Sequence, residues 1–193
     1  MERSGDLLRA WRAGDRAAGD TLIAGHFESI CRFFRTKLGD DVEDLIQQTF
    51  LDLLAAPAPV TSVRARLFTI ARRRLLDHLQ ARYRLDEVEL VTSISVADLR
   101  TSPSTSAARS EQQRLLHEAL CRLPLDHRMA LELAYWEDLS GAEIAEILEI
   151  SEHTVRSRLA RARQALRDQI AALDPAPGGP AVGLVSQLRE ARD

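Results

Sequence analysis

The densest group of side chains suited to binding chemistry lies between His153 and Arg167, where five arginines occur and no acidic residue does. Residues 143–149, just before it, carry three glutamates and no basic residue. A helix whose charged residues served only solubility would carry both acidic and basic side chains, because opposite charges four residues apart stabilise a helix. The separation therefore favours DNA binding over a merely solvated charged face, which is the ordinary alternative. The arginines are Arg156, Arg158, Arg161, Arg163 and Arg167.

Two short helices joined by a tight turn are predicted to position these arginines. Ser140 and Glu143 have the spacing of a capping box at the start of the first helix. Ser151 is placed to cap the second helix. Apolar residues recur at helical spacing in both: Ile144, Ile147, Leu148, Val155, Leu159, Ala162 and Leu166. A tight turn followed by a basic helix predicts a helix-turn-helix whose second helix lies in a DNA major groove.

An acidic helix is predicted over residues 40–56, which carry five carboxylates and no basic residue. Clustered carboxylates suggest a metal site or acid–base catalysis, but no His or Cys lies near enough to complete a ligand set. Acids at a helix N-terminus are also favoured by the helix dipole alone. We interpret the exposed face as a protein-docking surface. The predicted buried side is Val42, Leu45, Ile46, Phe50, Leu53 and Leu54.

A basic helix is predicted over residues 62–84, with seven arginines against one acid, Asp77. Phe68 and Tyr83 lie among the arginines, and basic groups with aromatic rings suit single-stranded nucleic acid, whose bases stack. A basic surface helix without a ligand is the alternative. Its predicted core positions are Leu67, Ile70, Ala71, Leu75 and Leu79.

Composition limits the class of protein. The 193 residues are 45% hydrophobic but only 5% aromatic, which favours helices packed through aliphatic side chains. No apolar run reaches the roughly 20 residues of a membrane span, and the polar N-terminus argues against a signal peptide. Cys31 and Cys121 are expected as buried thiols, with a disulfide the less favoured reading. The formal charge of −3 gives no global basic field, so the local basic patches are the expected nucleic-acid surfaces.

The chain divides at two changes of composition. We predict an all-α protein with two small helical domains, residues 1–85 and 111–173, the second being the helix-turn-helix. Residues 86–110 are rich in Ser and Thr with interspersed acids, which predicts a flexible acidic linker. A Pro/Gly break separates the tail, residues 174–193. The tail is expected to be a disordered end, or a short helix at 181–193 that folds only when it docks.

Three segments together resemble the sigma-70 family of bacterial RNA polymerase specificity factors, in its compact extracytoplasmic-function (group IV) form. They are DVEDLIQQTFLDLL, RLFTIARRRLLDHL and LPLDHRMALELAYWEDLSGAEIAEILEISEHTVRSRLARAR. The resemblance runs from about Asp6 to Leu173. It implies a cytoplasmic protein that binds core RNA polymerase and promoter DNA and commonly has an anti-sigma factor as partner. It also implies a linker that threads the polymerase's RNA channel. Independently of the resemblance, the lack of catalytic and metal-binding motifs predicts no enzyme activity, metal or cofactor.

The resemblance also assigns residues to three surfaces. Core polymerase would dock on the acidic helix, at Asp44, Gln47 and Gln48. The −10 promoter element would be read and melted by the basic helix, through Arg64, Arg66, Arg72, Arg73, Arg74, Asp77 and Arg82. The −35 element would meet Ser151, His153, Thr154, Arg156, Ser157, Arg158, Arg161 and Arg163. We expect Arg156 and Arg158, in the first turns, to reach base edges, and Arg161 and Arg163 to meet phosphate.

Two positions depart from the family pattern. Arg73 stands where the family usually has Asn, near the loop that holds a flipped promoter base. Glu149 stands at the turn where the family often has Gly, and a non-glycine residue with positive φ costs on the order of 1 kcal/mol.

Two other classes of protein are less favoured by the sequence. A transcription regulator with a response-regulator-type helix-turn-helix is the main alternative, but its N-terminal receiver would show alternating strands, which this half lacks. An enzyme is less favoured, because no phosphate loop, nucleophile elbow or metal spacing appears. The histidines are scattered, at His26, His78, His117, His127 and His153.

Overall fold

A computed structural model of the chain describes residues 2–57, 60–83 and 111–173, and these residues form eight α-helices and no strand. The N-terminal half holds α1 (Glu2–Arg12), α2 (Arg16–Leu38), α3 (Glu43–Ala55) and α4 (Val63–Tyr83). The C-terminal half holds α5 (Glu111–Cys121), α6 (Leu125–Tyr135), α7 (Gly141–Leu148) and α8 (Glu152–Leu173). The predicted all-α class is confirmed. The predicted linker and tail lie outside the described residues.

The Ala-Gly-Asp sequence at residues 13–15 predicts an interruption of the first helix, and the break between α1 and α2 falls there. Gly14 takes a positive φ of 101°, which glycine adopts without strain. The Asp15 carboxylate then accepts a hydrogen bond from the Ala18 amide and caps α2. Where the two helices pack, a Cβ on Gly19 would lie 2.6 Å from the ring of Trp11. The close approach of α1 to α2 therefore requires glycine at that position.

The acidic and basic helices form the rest of the N-terminal half, with α3 packed on α4 and both packed on α2. Arg12 holds the end of α3 by donating to the carbonyls of Leu53 and Leu54, at 3.0 and 3.1 Å. The predicted core positions of α4 are all buried. Apolar spacing predicts that Phe27 of α2 packs in the core. Its side chain is instead 49% exposed, because it faces outward beside α3.

The helix-turn-helix forms as predicted. The Ser140 hydroxyl accepts from the Glu143 amide, and the Glu143 carboxylate accepts from the Ser140 amide at 2.9 Å, which completes the capping box. Glu149 ends α7 in the left-handed region, with φ 57° and ψ 43°. The Ser151 hydroxyl accepts from the Thr154 amide at 3.1 Å and caps α8. α8 packs on α5, α6 and α7.

The two halves contact each other directly. α7 packs along α4, and one apolar cluster includes buried residues from both halves, among them Phe68, Leu133 and Ile147. A second, smaller cluster joins α5, α6 and α8 within the C-terminal half. The helix-turn-helix therefore lies against the basic helix. No helix among the described residues has the length and apolar character needed to cross a membrane.

Candidate nucleic-acid interface

The second helix of the helix-turn-helix, α8, leaves half of its eight predicted −35 residues exposed. Its first turns and one face beyond them are open to solvent, while the stripe of Val155, Ala162, Leu166 and Ile170 is buried. Among the predicted −35 residues, Ser151, His153, Arg156 and Arg161 are exposed, and Thr154, Ser157, Arg158 and Arg163 are half-buried. This arrangement leaves Arg156 and His153 accessible to a base edge.

Two of the predicted −35 arginines already have partners in the C-terminal half. Arg158 Nε lies 3.4 Å from the buried carboxylate of Asp126 in α6. Arg163 Nη1 donates to the Tyr135 hydroxyl at 3.4 Å. These contacts hold both side chains close to α6, so the structure separates Arg156 from Arg158, which the sequence grouped together. Arg161 donates to the carbonyl of Ser157 and remains exposed.

The basic helix α4 is partly covered by carboxylates of the C-terminal half. Arg64 Nη2 lies 2.9 Å from Glu137, which also binds Arg32 at 2.6 Å. Arg73 donates to Glu149, and Arg72 lies 3.5 Å from the same carboxylate. The hydrogen bond from Arg73 lowers the pKa of Glu149. Three of the predicted −10 residues thus contact acids of the other half.

The remaining predicted −10 residues lie elsewhere on α4. Arg74 Nε donates to Asp52 of α3 at 2.7 Å, and Arg82 lies over the ring of Tyr83 at 5.4 Å from its centroid. Asp77 is exposed and Arg66 is half-buried.

The proposed stacking role of Phe68 is wrong. Its side chain is 1% exposed and packs edge-on against Phe33, with ring centroids 5.7 Å apart. A ring enclosed by the core cannot receive a base. Tyr83, at the end of α4, is half-buried.

A buried charged cluster between the halves was missed by the sequence analysis. Lys37 of α2, which is fully buried, donates to Glu132 of α6, and Arg128 Nε donates to the same carboxylate at 2.7 Å. Burial lowers the pKa of Lys37 to about 8, against the charge of Glu132. Burial alone would raise the pKa of Glu132, but the charges of Lys37 and Arg128 lower it. One signal was available: Glu132 is flanked by apolar residues on both sides in sequence, so a helix there places it in the core.

Both cysteines are free and buried, as predicted. Cys121 Sγ lies 3.0 Å from Arg128 Nη1 and 3.7 Å from His117 Nε2. Burial would raise the pKa of this thiol, but the hydrogen bonds from His117 and Arg128 lower it to about 6. The lowered pKa favours the thiolate form, which is a second negative partner for the buried Arg128.

The face of α3 predicted to dock a protein is open to solvent. Asp44, Gln47 and Gln48 are all exposed. Beside them, a groove of about 330 Å³ runs between α2 and α3. Its walls include Phe27 and Leu51, whose side chains are 49% and 47% exposed, with Gln47 at its edge. Exposed apolar residues in a groove are typical of a protein-binding site. The described residues contain no group of His, Cys, Asp or Glu arranged to hold a metal.

A helical fold with a helix-turn-helix and a second basic helix is typical of DNA-binding proteins that act in transcription. Comparison with known families identifies the family. The family model "Sigma-70 region 2" matches residues 24–85, and "Sigma-70, region 4" matches residues 113–166. The first match covers the half in which a response-regulator-type protein would carry its receiver, which sets that alternative aside.

Proteins of similar sequence are also named as sigma factors. The chain is 32% identical to the ECF RNA polymerase sigma factor SigL of Mycobacterium tuberculosis over 162 residues, which is 80% of this chain and 90% of SigL. It is 31% identical to SigM of the same organism, over 86% of this chain and 84% of SigM.

Solved structures agree in fold. CnrH in complex with the cytosolic domain of CnrY matches with a TM-score of 0.66 and 26% identity, over 91% of this chain and 99% of that one. The sigma factor RpoE of Bartonella quintana, in complex with the anti-sigma factor NepR, matches with a TM-score of 0.62 and 22% identity, over 78% of this chain and 95% of that one. The chain belongs to the sigma-70 family, among its ECF RNA polymerase sigma factors. It is a sigma factor, which directs core RNA polymerase to promoters.

Proposed function

We propose that three surfaces of this chain carry the sigma-factor function. The recognition helix α8 reads the −35 element as duplex DNA, the basic helix α4 binds the −10 element, and α3 with its neighbouring groove docks core polymerase. Residues 1–85 and 111–173 act as the two domains. The observation that carries the proposal is the exposure of Arg156 and His153 on the first turns of a well-capped helix α8.

Arg156 and Arg163 are expected to play different roles on the −35 element. Arg156 is exposed near the start of α8, where side chains of a recognition helix reach base edges. Arg163 lies two turns further on and is half-buried against Tyr135, which suits a phosphate contact. The other predicted −35 residues lie at the N-cap of α8 and along its first three turns: Ser151, Thr154, Ser157, Arg158 and Arg161. Arg158, held by Asp126, is proposed to position the helix or meet the backbone, and no longer to read a base.

The test compares matched alanine variants. Arg156→Ala is expected to weaken binding of the preferred −35 duplex by about 1–3 kcal/mol and to relax base preference. Arg163→Ala is expected to weaken all duplexes alike and to reduce the salt dependence of binding. Both variants are titrated against a panel of −35 base substitutions at two salt concentrations. An even loss across the panel in both variants would refute the assignment.

Polymerase docking is proposed to use more than the three polar residues. Gln47 borders the groove that Phe27 and Leu51 leave open. Asp44 and Gln48 are exposed on the same helix α3, so a partner helix can bury apolar surface beside polar contacts. Asp44→Arg and Leu51→Asp should each weaken binding to core polymerase and leave −35 binding intact. Glu146→Gln, an exposed change in the other half, is the control. Unchanged polymerase affinity in both test variants would contradict this surface.

We also propose an anti-sigma factor as a regulatory partner, by analogy with the matching structure of RpoE in complex with the anti-sigma factor NepR. From the same family membership we propose that the protein acts in the cytoplasm and has no catalytic activity of its own. Co-expression followed by affinity purification of this chain tests for such a partner.

A further inference from the structure

Cys121, at the end of α5, belongs to a cluster of three side chains that the proposed function does not use. Its Sγ lies 3.7 Å from Nε2 of His117, one turn earlier on the same helix. From α6, Arg128 donates from Nη1 to the same sulfur at 3.0 Å. A sulfur in contact with a base and with a fixed positive charge is the arrangement that activates a cysteine as a nucleophile.

A cavity of about 400 Å³ lies beside this cluster. Its walls include His117 and Arg128, together with Leu116 of α5 and Trp136 after α6. Since about 10–15 Å³ is enough to hold one water molecule, the cavity has room for a small polar molecule such as hydrogen peroxide. A molecule in this space meets the same two side chains that contact the sulfur of Cys121.

The surroundings of Cys121 favour its ionised form. Burial would raise the pKa of the thiol, but the hydrogen bonds with His117 and Arg128 lower it to about 6. The other charged groups on the cavity walls are Arg32, Glu132 and Glu137. All three are engaged in ion pairs. The cluster therefore supplies the stabilisation that a buried thiolate needs.

Cys31 of α2 is a matched reference within the same chain. Both cysteines are 7% exposed. Cys31 also lines an open space, the groove between α2 and α3. Burial raises the pKa of Cys31, whereas the contacts of Cys121 lower its pKa. A difference in reactivity between the two thiols therefore reports the cluster and not exposure.

We propose that Cys121 is a modification site at which hydrogen peroxide oxidises the sulfur to a sulfenic acid. The thiolate sulfur attacks one peroxide oxygen, so an S–O bond forms as the O–O bond breaks. The leaving hydroxide takes up the proton that the thiol has lost to His117 and departs as water. The sulfur loses two electrons and the peroxide gains them, so the step needs no further oxidant.

Oxidation changes the contact between α5 and α6. The added oxygen has to be accommodated beside Arg128, which is 1% exposed, so the guanidinium is displaced from its 3.0 Å contact with the sulfur. The recognition helix α8 packs on both α5 and α6. We expect oxidation of Cys121 to weaken binding of −35 duplex by α8, a consequence that rests on the proposed function of that helix.

The experiment treats the full-length protein with hydrogen peroxide in the presence of dimedone, which traps sulfenic acids. Peptide mass spectrometry then reads Cys121 and Cys31 from the same sample. At pH 7 about 90% of a thiol with a pKa of about 6 is ionised, against about 1% at the ordinary value of 9.0, and Cys31 ionises less than that. The lower nucleophilicity of the more acidic thiolate offsets about 20-fold of this difference. We expect Cys121 to be labelled at least about fourfold faster than Cys31.

His117→Gln should slow the labelling of Cys121 and leave that of Cys31 unchanged, because it removes the base from the cluster at a half-buried position. Glu118→Gln, an exposed change at the next position of α5, is the matched control. A variant that unfolds exposes both cysteines and raises both rates. Loss of folding is therefore not mistaken for loss of the site.

Equal labelling of the two cysteines, or faster labelling of Cys31, would overturn the proposal. Labelling of Cys121 that His117→Gln leaves unchanged would refute the part assigned to His117. Peroxide should reduce −35 duplex binding of the parent protein and spare Cys121→Ser. If the oxidised parent protein keeps its binding, the modification does not reach α8. If the untreated protein does not bind the duplex, the proposed function fails, and the labelling still decides whether Cys121 is the modification site.

Discussion

Glu132→Gln is the substitution whose effect on the free energy of unfolding follows most directly from the structure. The change keeps the shape of the side chain but removes the carboxylate that Lys37 and Arg128 share. Arg128 keeps Cys121 as a partner, at 3.0 Å. Lys37 is fully buried, and the amide of glutamine does not balance its charge.

Breaking a buried ion pair from one side costs about 3–5 kcal/mol, because a charge is left uncompensated in the interior. We expect a value near the lower end, about 3 kcal/mol, since the amide oxygen still accepts one hydrogen bond. Glu118→Gln is the control: its partner Arg122 is 41% exposed, and exposed pairs contribute about 0.2–1 kcal/mol. Lys37→Met should cost less than Glu132→Gln, because Glu132 then keeps Arg128.

Urea unfolding of the three full-length variants measures these differences. Because Lys37 and Glu132 belong to different halves, part of the loss should appear as separation of the halves, which scattering on the same samples reports as a larger radius of gyration. If Glu132→Gln loses no more stability than Glu118→Gln and stays as compact as the parent protein, the buried pair does not hold the halves together and the reasoning is refuted.

Three further predictions address other parts of the molecule. Acidification should loosen the contact between the halves, because the pKa values of Glu132 and Glu149 are lowered in the folded protein. The contribution of these two carboxylates to stability is complete above about pH 4.5 and is lost as the pH falls through their folded-state pKa values. Small-angle scattering over a series of pH values measures this loosening. Arg73→Asn should change which −10 bases are tolerated without abolishing initiation, because an amide both donates and accepts while a guanidinium only donates; identical transcription of a −10 library by both proteins would contradict this. Ser140→Ala should lower stability by about 1 kcal/mol through loss of the helix cap, measured by urea unfolding, and a change below about 0.3 kcal/mol would contradict the role of the capping box.

Local features were predictable from the sequence, because each depends on residues a few positions apart. The break at Gly14, the capping box at Ser140 and the tight turn at Glu149 all follow from short patterns. The buried stripe of α4 follows from helical spacing.

Contacts between the halves were not predictable in the same way. Glu132 pairs with a lysine 95 positions away, and Glu149 pairs with an arginine 76 positions away. Helical spacing within a segment does not predict contacts between residues so far apart. The burial of Phe68 was unpredictable for a similar reason, because its ring packs in a core cluster with residues of other helices that are distant in sequence. The charge of Arg158 is evident from the sequence, but its contact with Asp126 is not. That contact changes the role expected for Arg158 from reading a base to positioning the helix or meeting the DNA backbone.

Transcription by purified core RNA polymerase, with and without this protein, tests the central claim most directly. The RNA 5′ ends produced from a library of genomic fragments are mapped by sequencing. We predict new start sites that appear only with the protein and share two sequence elements at −10 and −35. Removing the exposed Arg156 should alter the base preference within the −35 element. Start sites identical in the presence and absence of the protein would contradict its function as a promoter specificity factor.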